Sequence, residues 1–156
     1  MSKVVPNKVA TSAALILLGC GSGYDLAPMP NPPDGFAYAY ATPSCAPWDG
    51  RAVEILLTAA PAVDPENARP LLRLVIYPRE RDLARKSYRW PADPEMATGA
   101  RCTADACDFA ESGEISLRAV RADSAVEGTV TLRFQSNEVL SGGFRAEWRS
   151  RQVFCG

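Results

Sequence analysis

The chain contains no histidine. That excludes Ser-His and Cys-His nucleophiles, histidine-ligated zinc, and the side chain that most readily changes charge near neutrality. Lysine is almost as scarce, with Lys3, Lys8 and Lys86 the full set. A Ser-Lys mechanism would have to use Lys86 beside Ser87, and adjacent residues on an extended segment point to opposite faces. There is no G-x-S-x-G elbow, S-x-x-K pair, Gly-rich phosphate loop or H-E-x-x-H. Long apolar runs are missing too. The longest, Val9 to Leu18, rises about 15 Å as a helix, half the hydrocarbon core of a bilayer.

What remains is the composition of one globular domain: 156 residues, 47% hydrophobic and 22% charged. Met1 to Cys20 has the layout of a removable export signal over residues 1–19. Lys3 and Lys8 supply the positive flank, Val9 to Leu18 the apolar stretch, and Gly19 the small residue before Cys20. Without those two lysines, 15 basic residues face 18 acidic ones, a net of −3 that argues against bulk nucleic-acid binding.

Leu17-Leu18-Gly19-Cys20 resembles the lipobox of bacterial lipoproteins, although Leu18 is bulkier than the residue more often found there. The resemblance implies cleavage before Cys20, a lipid on its thiol and an acylated amine. The absence of Asp after Cys20 implies, by the same resemblance, the outer membrane and a domain facing the periplasm. Gly21-Ser22-Gly23 and Pro28, Pro30, Pro32 and Pro33 read as a semi-rigid tether over 20–34, ahead of a folded domain over 35–156.

Four cysteines then remain, and an even number in an exported chain predicts disulfides, with three connectivities open. Cys102 and Cys107 are close enough to staple their own loop, which leaves Cys45 for Cys155. A four-cysteine zinc site would need two close pairs, and only one short spacing exists.

From residue 36 onward the pattern is β. Val53–Leu57 and Leu71–Ile76 are nearly continuous apolar runs, suited to strands covered on both faces. Phe36–Tyr40, Ile115–Ala119, Thr129–Gln135 and Phe144–Arg149 alternate, which predicts half-buried strands. Ser136-Asn137 predicts a tight turn and Gly142-Gly143 a bulge or a sharp bend. Only Arg79 to Lys86 could hold a turn or two of helix. The expected fold is all-β: a disulfide-stapled antiparallel β-sandwich or small barrel of about seven strands. The stretch GEISLRAV…EGTVTLRF…LSGGFRAEW…FC resembles the endings of uncharacterised lipoproteins from myxobacteria and related Gram-negatives. That implies fold and address, and carries no catalytic residue with it.

Candidate chemistry is sparse. Asp105, Asp108, Glu111 and Glu114 recur every third residue and could offer oxygen ligands to calcium, but they match no calcium-loop spacing and read as a solvated acidic loop. Arg79 to Arg89 carries five basic and two acidic residues and could meet anionic headgroups, or be a solvated loop. Trp48, Trp90 and Trp148 could stack sugars. Trp148 is in phase with Phe144 and Ala146 and predicts a core position, while Trp48 and Trp90 predict plugs at strand ends. The expectation is a lipid-anchored envelope protein acting as a binding or structural accessory, with no catalytic residue, cofactor or metal. Its partners are the membrane, through the lipid on Cys20, and an envelope protein or polysaccharide. The competing class is a carbohydrate-active or other hydrolase using Asp/Glu carboxylates.

Overall fold

Alternation of apolar and polar residues dominates the chain, and the structure turns it into strands throughout. The computed structural model describes residues 28–79, 83–93, 97–121 and 124–155; the expected export signal and Cys20 lie outside them. Nine strands follow in order: β1 (Tyr38–Cys45), β2 (Arg51–Thr58), β3 (Leu71–Ile76), β4 (Ser87–Trp90), β5 (Ala97–Cys102), β6 (Cys107–Phe109), β7 (Ser112–Arg121), β8 (Ala125–Arg133) and β9 (Val139–Trp148). A 3-10 turn at Pro65–Asn67 is the only helical element among the described residues. Residues 83–86 form no helix, and 80–82 lie outside the described residues.

All nine strands join one sheet in the order β4-β7-β8-β9-β1-β2-β3-β5-β6. It is an open sheet and not a closed barrel, and its ladders are antiparallel except for a short parallel pairing of β9 with β1. The count exceeds the expected seven because β4 and β6 are only four and three residues long, too short to show a period. β2, the most apolar run, is buried at seven of its eight positions and has neighbours on both sides.

The sheet folds back on itself around its main core. Ile55, Leu57, Leu72, Leu74 and Ile76 from one half meet Ile115, Val130, Leu132, Phe134 and Phe144 from the other. The chain also crosses between the halves. Ala110 N–H donates to Gly99 of β5 (2.9 Å), and the next residue, Glu111, donates to Arg133 of β8 (2.9 Å). Trp90 closes this end. Its ring fills the space left by Gly113 and Gly99, where an added Cβ would lie 2.4 and 3.2 Å from it, and its indole N–H donates to Ala110 O at 3.1 Å.

Asn137 has φ 62° and makes the predicted turn, with its N–H donating to Phe134 O at 2.9 Å. The bulge is not where it was expected. Gly142 and Gly143 keep unbroken register with β8, and the irregularity lies in β7 between Leu117 and Ala119. The two glycines serve another purpose. Pro32 and Pro33 cross β9 so closely that a Cβ on Gly142 would sit 2.3 Å from the Pro33 nitrogen, and Gly143 N–H donates to Asn31 O at 2.8 Å. Met29 is buried in the core, and its N–H donates to Ala37 O at 2.9 Å. Residues 29–33 are thus a strap seated on the sheet.

Cys45 is joined to Cys155 and Cys102 to Cys107, with Cα separations of 5.5 and 4.0 Å.

Candidate functional site

An open groove of about 1190 Å³ lies on the outer face of β7, β8 and β9. Strap residues 28–31 bound one end and the turn at 85–87 the other. Alternation explains its polar lining: with Val126, Val130 and Leu132 turned inward, Glu127 and Thr129 must face out. The β7 irregularity leaves Arg118 without a partner residue on β8, a position that re-aims a side chain, and its guanidinium reaches Glu127 at 2.9 Å. Arg145, opposite Glu127 in the ladder, approaches the same carboxylate at 3.8 Å.

Glu147 also lines the groove, and its Oε2 is buried with no hydrogen-bond partner. Because Glu127 faces Arg145 and Glu147 faces Ala125, the two glutamates are diagonal neighbours, with backbone positions about 7–8 Å apart by sheet geometry. Sequence reasoning missed both. Their outward phase was readable, but the groove depends on the strap and the β7 bulge.

A smaller cavity of about 320 Å³ lies near Asp34, Pro70 and Val139. Arg101 crosses it with a bidentate contact to Glu138 (2.5 and 2.9 Å), and its guanidinium lies 4.8 Å from the Phe134 ring centroid. The hydrogen bond from Arg101 holds the Glu138 carboxyl below the usual carboxylate range. On β7, hydrogen bonds from Arg89, then from Ser116, do the same for Glu114.

The acidic run does not converge. Asp108 pairs with Arg101 at 3.8 Å and Glu114 with Arg89 at 3.0 Å, while Asp105 and Glu111 are exposed. No group of three or more acidic or cysteine ligands assembles among the described residues. Trp90 is the predicted plug, and Trp148 is half-buried against the core. Trp48 is not a plug. It is 55% exposed and leans on Tyr77, with ring centroids 5.1 Å apart, because the turn that carries it projects past the end of β2.

No family model, curated protein or solved structure matches this chain.

Proposed function

We propose that the protein is a lipid-anchored lipoprotein of a Gram-negative envelope, attached through Cys20, whose β-domain is a non-catalytic binding or structural accessory. The observation that carries this reading is that every cysteine among the described residues is paired, a state that persists in an oxidising compartment outside the cytosol. It supports the export signal independently of the lipobox. In this reading the two facing halves form a sandwich-type scaffold that presents the groove. The test is the intact mass of detergent-extracted protein. A chain beginning at Cys20 with added acyl mass is expected, and Cys20→Ser should leave an unprocessed precursor. A mature chain that starts elsewhere without acyl mass overturns the anchor.

One observation favours a second reading, a carboxylate hydrolase acting on envelope polysaccharide. Glu127 and Glu147 line the same groove on one face of the sheet, the two carboxylates that glycoside hydrolysis requires. The binding reading is preferred because Arg118 and Arg145 both engage Glu127, occupying the carboxylate that would have to activate water. Saturable hydrolysis of purified envelope glycan, abolished by Glu147→Gln, would reverse that preference.

A further inference from the structure

The groove carries charge opposite in sign to the chain that holds it. Arg85, Lys86, Arg118 and Arg145 face Glu127 and Glu147, a local +2 on a processed chain of net −3. Guanidinium groups suit phosphate oxygens, which they can bind in a bidentate fork.

The second observation is where the tether meets the domain. Strap residues Met29 to Pro33 are fixed to β9 and the core, and residues 28–31 themselves form one wall of the groove. Eight peptide units separate Cys20 from Pro28, so a lipid on Cys20 could lie no more than about 29 Å from that wall, even fully extended. Of the two outer faces of the sheet, this one is tied to the anchor.

From these two facts we infer that the groove on β7–β9 is a membrane-facing surface that takes the phosphate-bearing headgroups of anionic phospholipids in the leaflet holding the lipid. The inference rests on the proposed lipidation at Cys20, which supplies proximity; charge and groove supply the contact. Arg118 is central, since the β7 bulge turns it outward, and Arg145 stands beside it across β8. Screening governs such a contact, because the Debye length falls from about 10 Å at 0.1 M salt to about 3 Å at 1 M.

The test uses the full protein extracted from its membrane and reconstituted into vesicles of phosphatidylcholine alone or with phosphatidylglycerol. Arginine side chains are labelled with phenylglyoxal and quantified peptide by peptide. Labelling of Arg85, Arg118 and Arg145 should slow about fivefold in phosphatidylglycerol vesicles, the factor that matches a basic residue held at an anionic surface. Arg51 and Arg69, exposed on the other half, should be unchanged, and high salt should erase the difference. In an Arg118→Gln/Arg145→Gln variant with unchanged melting temperature, the protection of Arg85 should fall away. Equal labelling in both vesicle types, with the protein still vesicle-bound, overturns the groove and leaves the anchor standing. Protein without acyl mass overturns the anchor, and the same labelling with added vesicles then still decides the groove.

Discussion

The two outer faces of the sheet are built from similar strands and end in opposite conditions. The face of β1, β2, β3 and β5 is covered. Tyr40, Leu56, Leu71 and Cys102 form a second buried cluster there, beneath the 59–69 loop and the C-terminal segment. The cover is held by polar contacts: Ala62 N–H donates to the Tyr40 hydroxyl at 2.7 Å, and the Arg149 guanidinium lies 4.2 Å from the Tyr40 ring centroid. Arg151 pairs with Glu66 and reaches Glu54, which is 2% exposed and also held by Arg73. Among the described residues, the face of β7, β8 and β9 has no such lid. Its side chains are charged or small, and the strap and the turn at 85–87 lie beside them. Burial on the first face contributes stability; exposure on the second leaves side chains free to meet something else.

Breaking the cover should show the largest effect. Cys155→Ser frees the segment that closes the first face, and for a closure spanning 110 residues the chain-entropy argument predicts a loss of about 4–5 kcal/mol in denaturant unfolding. Losing the staple across five residues should cost only about 2 kcal/mol. If both losses are equal, the C-terminal cover is not what distinguishes the faces.

The strap offers a sharper contrast. Gly142→Ala should push Pro32 and Pro33 off β9 at a cost of about 1–3 kcal/mol, with new proteolysis near residue 30. Gly143→Ala meets Pro30 O at an ordinary 3.4 Å and should stay within about 0.5 kcal/mol of the parent.

Glutamate substitution compares the faces directly. Glu54→Gln removes charge-assisted contacts from a buried group and should destabilise by about 1–2 kcal/mol. Glu127→Gln, whose partners Arg118 and Arg145 are largely exposed, should cost about 0.5 kcal/mol or less. A larger loss at Glu127 would mark the open face as structural.

The smallest effect is acid sensitivity. Glu114 and Glu138 are held below their ordinary pKa, so each contributes stability above the unfolded carboxylate range and loses it as pH falls through the folded value. Melting temperature should drop slightly between about pH 5 and 3, and less in Glu138→Gln, whose remaining acid-sensitive pair is Arg89 with Glu114.

Several of these elements were legible as period and spacing. Thr129–Gln135 and Phe144–Arg149 alternate strictly, and β8 and β9 are the strands they form. Cys102 and Cys107 are near neighbours in the chain, and the structure joins them. Features made by tertiary approach were not. Gly142-Gly143 reads as a bulge until Pro32 and Pro33 are seen across it, and Arg118 carries no local sign of its bulge. Trp48 resembles Trp90 in sequence, each preceding or following a proline at a strand end, yet the glycines that receive Trp90, Gly99 and Gly113, lie on core strands, while Trp48 rests on Gly50 of its own turn. The groove was illegible for the same reason: its walls are 28–31, 85–87 and β7–β9, brought together by the fold alone.

The place of β9 in the strand order has a consequence for biogenesis. β9, the ninth strand in chain order, lies in the middle of the sheet between β8 and β1, and its ladders join the two halves. A chain made from its N-terminus can pair β1 with β2 and β3, and later β7 with β8, but these remain separate platforms with exposed inner faces. Such long-range closure is slow compared with hairpin formation. The sheet therefore completes only when residues 139–148 emerge, and Cys155 can reach Cys45 only after that. Until then the two half-sheets are natural clients for a holding chaperone, and a chain truncated before β9 should be degraded faster than the full one.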